Sequence, residues 1–414
     1  MAANEFTFNQ AATFLNAVQH QVTGVAQRTP INTDEFVAVA TTVLKTGLDP
    51  VLNAVNQVLA RTIFSIRPYS AKFRLAEISE TAFGNHTRKL SIADRDIVDD
   101  ERYKYPMAYD STQNPANGDG QSVDMYKVRK PEILQTNFYG SQVWEDYYTL
   151  FRDQLECAFK SPSEMGRFVT MVTQNSMDKL TQYREDAGRA AVLNFIGGIL
   201  DENDHSSDGF DYAHRVLPLV TMYKTYTNQP SLITIDVFNP QNMRPFTQFV
   251  YFVIKTVSSF MEQRSVKFQT QITGKNVVRH TPKSRQKLFM LEQVVSQFEM
   301  MGLSNTYHDG YLILPGGVRT ESVAYWQNIN SPSVVEVVAS RISANGTIAT
   351  SDNTVSAGVI GVLFDEEALG YATTQSWQAP TPFNAAGGYW NMFVHETEKV
   401  YNDHTEKGVV FTLA

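Results

Sequence analysis

The chain has 414 residues, of which 43% are hydrophobic and 12% aromatic, so it can bury a large core and is not extensively disordered. Its net charge of -8 argues against sequence-independent nucleic-acid binding, which needs a surplus of Lys and Arg to displace counterions from phosphates. The single cysteine, Cys157, excludes an intrachain disulfide framework and a multi-cysteine metal site. There is neither a visible secretory signal nor a stretch of the ~20 apolar residues that a membrane span needs. We therefore expect a soluble folded protein of two or three lobes.

The first part of the chain, residues 4–66, shows helical periodicity in short pieces. Apolar residues recur from Phe6 and Phe8 through Leu15, and again from Phe36 to Leu44. Helices of ~12 residues are marginal in isolation. The pattern therefore predicts a helical arm that packs onto something else.

From Lys72 to about Tyr139 the sequence alternates and is rich in charge. Its centre, DSTQNPANGDGQ at residues 110–121, is dense in turn-forming Asn, Pro and Gly. This combination predicts a long two-stranded hairpin with a loop near its tip. Two strands are too few for independent stability, so the hairpin must lean on a neighbour.

A long helix follows the hairpin. Ser161 is the expected N-cap, with Pro162 at the first helical position and Glu164 as the capping-box partner. Apolar residues then recur at helical spacing until Gly197 and Gly198, which we expect to end the helix. The prediction is a rigid rod of about 35 residues and about 50 Å.

The remaining sequence is typical of a compact mixed lobe that ends in strands. Residues 243–264 are predicted to be a largely buried helix, and several apolar segments between 286 and 368 are predicted to be strands. The tail alternates in the manner of a strand until Val400, breaks at NDHTEKG, and ends in the apolar VVFTL.

The segment GYWNMFVHETEKVYNDH, at residues 388–404, is the strongest candidate for chemistry because it combines histidines, carboxylates and aromatics. On a strand, however, His395 and Glu396 point to opposite faces and cannot share one metal ion. We interpret it as a structural strand leaving a core, with His404 in the turn that follows. The sequence also lacks a phosphate-binding loop, a nucleophile elbow and metal-ligand spacing among its eight histidines. No catalytic, cofactor or metal site is predicted.

The order of parts resembles the major capsid protein of tailed bacteriophages, the HK-97 fold, and is most similar to the phi-29-like short-tailed phages. The likeness rests on LARTIFSIRPYSAKF before the hairpin, on the long helix from SPSEMGRF to FIGG, and on GVLFDEEALGYATTQSWQAPTPFNAAGGYWNMFVH followed by KGVVFTLA. It implies an α+β fold with an N-arm at 1–68, an E-loop hairpin at 69–140, a P-domain with the spine helix at 141–209, an A-domain at 210–380, and return strands of the P-domain at 381–414.

The resemblance implies a shell protein of a virion, assembled in the host cytoplasm, with no reaction and no cofactor. Its expected partners are its own copies in hexamers and pentamers, a separate scaffold protein and a portal. The shell would enclose double-stranded DNA without sequence-specific binding, and no membrane is involved. Two alternatives stay open: an encapsulin-like nanocompartment shell, and a soluble enzyme with an unrecognised site in 210–380.

The residues expected to contact neighbouring subunits fall into two groups. Apolar residues of the arm would dock on a neighbour, and charged residues of the hairpin would form ion pairs across subunits; the alternative for the charged set is a solvated face with no partner. The candidates are Phe6, Phe8, Leu15, Arg88, Lys89, Asp94, Arg95, Asp96, Asp99 and Asp100.

Overall fold

The computed structural model describes residues 8–23, 30, 33–45, 71–78, 86–95, 125–126, 128–139, 141–154, 162–202, 212–234, 239–275, 277–303 and 317–413. Helices in these ranges include α1 (Phe8–Thr23), α2 (Thr33–Lys45), α3 (Pro162–Asp201), α4 (Leu219–Thr227), α5 (Pro240–Glu262) and α6 (Glu292–Leu303). The first strands are β1 (His86–Ile92), β2 (Ile133–Tyr139), β3 (Gln142–Phe151), β4 (Val216–Pro218), β5 (Gln286–Leu291) and β6 (Arg319–Val323). They are followed by β7 (Val335–Val337), β8 (Ser340–Ile342), β9 (Ile348–Thr350), β10 (Thr354–Ser356), β11 (Val359–Asp365), β12 (Leu369–Pro380), β13 (Tyr389–Asn402) and β14 (Gly408–Thr412).

The predicted helical pieces of the arm are present as α1 and α2, which pack against each other, while α1 also contacts α3. Apolar residues on one face of each helix, among them Leu15 and Phe36, are fully buried, whereas Val37 is 36% exposed. Burial of this face on α3 supplies the stability that two short helices lack alone. The third predicted piece, before Pro68, lies outside the described residues.

The two alternating segments around the turn-rich centre form the predicted antiparallel pair, which we call the hairpin. β1 pairs with β2 in a register that sets His86 opposite Tyr139 and Ile92 opposite Ile133. Successive side chains point to opposite faces, so the hairpin has one face toward the body and one toward solvent. The turn-rich stretch 110–121 lies outside the described residues.

The long helix is confirmed and is longer than predicted, with 40 residues in α3. The prediction that Gly197 and Gly198 end it is wrong, because helix continues through both to Asp201. Their role is close packing: a Cβ at Gly197 would lie 2.3 Å from Val337 Cγ1, and one at Gly198 would lie 2.2 Å from His404 Nε2. The expected cap at Ser161 lies outside the described residues.

A three-stranded antiparallel sheet in the order β12-β13-β3 packs against α3. The predicted alternation along β13 is confirmed: Trp390, Met392 and Val394 are buried and the residues between them are partly exposed. The expectation that this strand becomes solvated as it leaves the core is wrong on one face. Glu396 and Glu398 are each only 1% exposed, because α3 covers them as well.

The second sheet has five strands in the order β4-β14-β11-β5-β6 and is buried on both faces. One face packs on the C-terminal half of α3, and the other packs on α4 and α5. The largely buried helix predicted at residues 243–264 is thereby confirmed as α5. Coverage on both sides explains why β5, β11 and β14 are almost continuously apolar.

The last two strands of the chain lie in different sheets. β13 belongs to the three-stranded sheet and β14 to the five-stranded sheet, between β4 and β11. Residues 408–412 therefore share a sheet with strands of the predicted A-domain rather than with the other return strand. Two small antiparallel pairs, β7 with β10 and β8 with β9, cover the end of α3. None of the helices in the described ranges combines the length and the apolarity that a bilayer crossing requires.

Candidate functional site at the junction of the two sheets

The connection between the two sheets, residues 403–407, is the most unusual part of the structure, and we call it the junction turn. It joins β13 to β14, and its five residues are between 0% and 4% exposed although four of them can carry charge and the fifth is Thr405. Buried charges are costly unless they are paired. Burial of such a sequence therefore requires partners from elsewhere in the chain.

The backbone of the junction turn is fixed by two segments that are distant in sequence, residues 365–368 and the stretch around Thr270. The Asp403 N–H donates to Ala368 O at 2.6 Å, and the Thr270 N–H donates to His404 O at 2.9 Å. The Asp365 N–H donates to Lys407 O at 3.0 Å. These bonds satisfy backbone groups that water cannot reach.

Four side chains form the charged centre of the junction, and we call Lys89, Arg279, Asp403 and Glu406 the ionic quartet. Lys89 Nζ lies 3.0 Å from Asp403 Oδ2 and also pairs with Glu406. Arg279 pairs with the same carboxylate of Glu406. The quartet thus joins strand β1 of the hairpin to the junction turn and to the loop before β5.

Opposite charges outweigh burial for two members of the quartet, Lys89 and Asp403, whereas burial outweighs the nearby cations at Glu406 and raises its pKa. Burial alone would lower the pKa of Lys89, but the carboxylates of Asp403 and Glu406 outweigh it and raise that pKa. Burial alone would raise the pKa of Asp403, but Lys89, the Thr405 hydroxyl and Arg279 lower it. Thr405 Oγ1 donates to Asp403 Oδ1 at 2.5 Å, so the carboxylate is held from within its own turn as well.

His404 faces the other way, onto α3. Its ring stacks on Phe195 with centroids 5.1 Å apart, and its edge lies against Gly198. Burial and the nearby cation of Arg215 lower the pKa of His404 to about 3, so the ring is neutral at physiological pH. The imidazole therefore acts as a flat packing element. The prediction that His404 lies in the turn after the strand is confirmed, and the structure adds that this turn is buried.

Arg215 ties the end of α3 to the junction. Its side chain is 2% exposed, and Nη1 donates to Glu202 Oε2 at 2.9 Å and to Thr270 Oγ1 at 2.8 Å. Nε donates to Gly408 O at 3.2 Å. One guanidinium thus serves a carboxylate, a hydroxyl and a backbone carbonyl, which suits its fixed array of donors.

Lys407 completes the junction turn on the side of α5. Its Nζ donates to Gln263 O at 2.8 Å and to Ser265 Oγ at 3.0 Å, and both acceptors are uncharged in these contacts. Burial lowers the pKa of Lys407 to about 8. A charged Lys407 is therefore a net cost to the folded state at neutral pH.

This cost predicts a pH dependence of stability. The folded pKa lies below the ordinary value of 10.5, so the unfolded state binds the proton more tightly and stability rises as pH increases between the two values. From pH 7 to 9.5 the free energy of unfolding of the unassembled subunit should rise by roughly 2 kcal/mol relative to Lys407→Met. Urea unfolding at both pH values measures it, with Lys179→Met on the exposed side of α3 as the control. A constant difference between wild type and Lys407→Met would contradict the burial argument.

A second buried ion pair lies between α3 and the three-stranded sheet. Arg184 Nε donates to Glu396 Oε1 at 3.1 Å, and the Trp144 indole N–H donates to Glu398 Oε2 at 2.7 Å. Burial raises the pKa of Glu398. The Arg184 contact fixes the rotation of α3 over the sheet, because the enclosed carboxylate of Glu396 has no alternative partner in water, while the Trp144 contact joins β3 to β13.

The outward face of the hairpin is exposed and carries several large apolar side chains. Leu90 is 58% exposed and Ile92 is 66% exposed on β1, and Ile133 is 54% and Tyr139 is 75% exposed on β2. In the register of the pair these four side chains share one face. Leu90, Ile92 and Ile133 adjoin at one end of this face, and polar side chains separate them from Tyr139 at the other end. An exposed apolar cluster on a protruding element is typical of a protein contact.

Among the residues of the arm predicted to contact neighbours, Leu15 is placed inside the chain's own core. It is 0% exposed, so its burial against the chain's own helices leaves no surface for a neighbouring subunit, and the prediction is corrected for this residue. Phe8 begins α1, and the position of its side chain lies outside the described part of the chain, as does all of Phe6.

The charged candidates of the hairpin separate into three kinds. Lys89 and Asp94 have partners within the chain, the latter Arg264 Nη2 at 2.6 Å, and their ion pairing across subunits stays a prediction. Arg95 Nη1 donates to Arg129 O at 3.0 Å. Arg88 is exposed on the outward face of β1. The remaining three, Asp96, Asp99 and Asp100, lie outside the described residues.

Sequence reasoning missed the junction turn and its partners apart from Lys89. NDHTEKG has the composition of a solvated break, and nothing local indicates that residues more than 100 positions away enclose it. The one usable signal was the pair Gly197 and Gly198 inside an otherwise regular helical pattern, which marks a close approach when the helix does not end there. Within the described ranges no group of three or more His, Cys, Asp or Glu side chains is arranged to hold a metal ion.

Comparison with known proteins gives one family and several solved structures. The sequence model of the Phi29-like phage major capsid protein family matches residues 15–412. A chain in the capsid structure of Staphylococcus phage Andhra has 11% identity and a TM-score of 0.49, with 85% of this chain and 87% of that chain covered. A chain in the structure of the head fiber and inner core protein gp22 of bacteriophage P68 has 10% identity and a TM-score of 0.48, with 85% and 88% covered. A Microbacterium phage Oxtober96 chain has 8% identity and a TM-score of 0.42, with 85% and 93% covered. A search of curated proteins gave no match.

Proposed function

Because the chain belongs to the Phi29-like phage major capsid protein family and is a capsid subunit of a virion, we propose that the outward face of its hairpin joins neighbouring copies in the shell. Family membership confirms the predicted α+β fold of the HK-97 type and the predicted self-assembly. It does not favour the encapsulin-like alternative.

The observation that carries this proposal is the position of four exposed apolar side chains on one face of a two-stranded element. A lone antiparallel pair is marginal in water, and apolar side chains on its free face gain stability only when another surface covers them. A second copy supplies that surface at every position of a closed shell, since each subunit repeats the same contact with the next. Many such moderate contacts acting together stabilise a shell that no single contact could hold.

The proposal also covers the other components of the particle. The copies form hexamers and pentamers with the help of a separate scaffold protein and a portal, and assembly takes place in the host cytoplasm. The shell encloses double-stranded DNA, and the net charge of -8 suits a container whose wall should not trap its contents. The subunit performs no chemical reaction in this role. The division into an N-arm, hairpin, P-domain and A-domain at the predicted boundaries is part of the proposal.

The experiment replaces the apolar face by charge. In Leu90→Lys/Ile92→Lys both side chains already point to solvent in the subunit, so the fold should survive while the contact with a neighbour is lost. Negative-stain electron microscopy should show shells or capsomers of the wild-type protein. At equal concentration the variant should form at least about tenfold fewer of these particles.

The matched control is Ile348→Lys/Val355→Lys, which introduces the same charge at side chains that are 79% and 60% exposed on the small pairs β8–β9 and β7–β10. The control should assemble as wild type does. If the hairpin variant assembles as well as the control, the hairpin face is not the contact between copies. Unchanged circular dichroism of both variants shows that the comparison concerns assembly and not folding.

A further inference from the structure

The inward face of the hairpin rests on the body through polar and charged groups more than through apolar packing. Besides Lys89, Ser91 Oγ accepts from Arg279 Nη2 at 3.2 Å, and Lys275 Nζ lies 3.5 Å from Glu132 Oε1 just before β2. One ring contact joins Phe138 to Tyr401, with centroids 5.2 Å apart. The hairpin therefore lies on a polar seam.

The seam also encloses polar atoms that its opening would hydrate. A small space beneath β2 is lined by Leu134, Gln269, Gln271 and Thr405. Within the described residues Gln269 Oε1 and both side-chain polar atoms of Gln271 are buried and lack a hydrogen-bond partner. Opening the seam lets water reach these groups, and this gain offsets part of the contact that is lost.

The ionic quartet is the strongest contact across the seam. Lys89 is the member that comes from the hairpin, and it enters between two carboxylates of the junction turn, with Glu367 Oε2 of the β11–β12 turn at 3.4 Å as a third. Asp403 and Glu406 cannot follow the hairpin if it moves, because their turn is fixed by backbone bonds between the two sheets. The contact is therefore formed or broken by movement of Lys89, while the two carboxylates stay in place.

We propose that the ionic quartet is a latch: Lys89 holds the base of the hairpin on the junction turn, and its withdrawal lets the hairpin change its angle to the body while the two sheets stay in place. This inference rests on the proposed function, since a hairpin that contacts a neighbour is the element whose angle has to adapt. A charged contact is suited to a junction that has to open and close. Separation returns its ions to water, so its net strength is the small difference between attraction and dehydration.

The charges facing the latch keep it closed across neutral pH. Lys89 faces Asp403 and Glu406 of the junction turn and Glu367 of the β11–β12 turn, while Arg279 faces Glu406 from the loop before β5. The pKa of Lys89 is raised above 10.5, so the stability it contributes is lost only as pH rises through that higher value. The pKa of Asp403 is lowered below 3.8, so its contribution is lost only as pH falls through that lower value. Burial raises the pKa of Glu406, so its contact with Lys89 is the part of the latch that weakens first as pH falls. A competing contact that draws Lys89 away opens the latch.

Hydrogen exchange of the unassembled subunit tests the latch directly. Lys89→Met keeps the length of the side chain and removes its charge, whereas Arg88→Met makes a similar change one residue earlier on the exposed face. We expect peptides from β1 and β2 to exchange at least about tenfold faster in Lys89→Met, with β5 and β11 unchanged, and no difference for Arg88→Met.

A second variant covers the case in which Lys89→Met fails to fold because it leaves two carboxylates unpaired. Glu406→Gln keeps the shape of the side chain and the Lys89–Asp403 pair, and it should raise hairpin exchange by several-fold. Equal hairpin exchange in Glu406→Gln, Arg88→Met and wild type would overturn the latch, as would acceleration spread evenly over β5 and β11. Since exchange is measured without assembly, failure of the latch is distinguishable from failure of the hairpin as a contact between copies.

Discussion

Replacement of Arg215 by Met should lower the free energy of unfolding of the subunit by about 3 to 5 kcal/mol, because it breaks a buried ion pair by removing one partner. The Arg215 side chain is 2% exposed and that of Glu202 is 13% exposed, so the carboxylate left behind is largely cut off from water. The change also removes a donor from Gly408 O at the start of β14. Met fills much of the volume of the arginine stem, so the loss comes from unpaired polar groups and not from a large cavity.

The matched control is Arg264→Met, which removes an ion pair of similar geometry at the surface. Arg264 Nη2 lies 2.6 Å from Asp94 Oδ1, but the Arg264 side chain is 63% exposed. Exposed pairs contribute at most about 1 kcal/mol. Urea unfolding of both unassembled variants gives the comparison. Losses that agree within 1 kcal/mol would show that burial does not decide the value of these pairs.

The sequence was sufficient to predict elements whose pattern is local. The helical recurrence of apolar residues along α3 and α5, and the alternation along β13, record which face of each element is covered. Such a pattern shows that one face of an element is buried, but it does not show which other element packs on that face. For this reason the elements could be predicted from local pattern, whereas the sheet to which each of the last two strands belongs depends on partners elsewhere in the chain.

The junction could not be predicted, because its charges are explained only by residues that are remote in sequence. Lys89 and Asp403 are separated by most of the chain, yet their side chains meet at 3.0 Å. A polar turn such as 403–407 has the same composition whether it is solvated or enclosed, so the enclosure is a property of the fold and not of the segment. The same limit applies to Lys89 and Asp94, whose intrachain partners are remote in sequence and could not be identified from the charge pattern.

The glycine pair of α3 shows how a local rule fails for a physical reason. Glycine often ends a helix because it adopts a left-handed backbone at low cost. It also permits closer contact than any other residue, because it lacks a Cβ. At Gly198 the second property decides, since the neighbouring ring of His404 occupies the space of a side chain.

Gly198→Ala should therefore destabilise the subunit by about 3 kcal/mol, as overpacking of a buried site does. In an exposed helix interior the same substitution would stabilise by about 1 kcal/mol, because alanine is the better helix former. The added Cβ would lie 2.2 Å from His404 Nε2, so the ring must move. It is held on its other side by Phe195, and the backbone of its turn is bonded to Thr270.

The double variant Gly198→Ala/His404→Ala separates this clash from a general intolerance of α3. Removal of the ring alone leaves a cavity and should cost about 2 to 4 kcal/mol, but it also clears the space that the new methyl group needs. The double variant should be more stable than the sum of the two single losses predicts by about 2 kcal/mol, measured by urea unfolding. Strict additivity would mean that the helix tolerates the methyl group by shifting as a whole. The part of the structure that yields would then be α3 and not the junction turn.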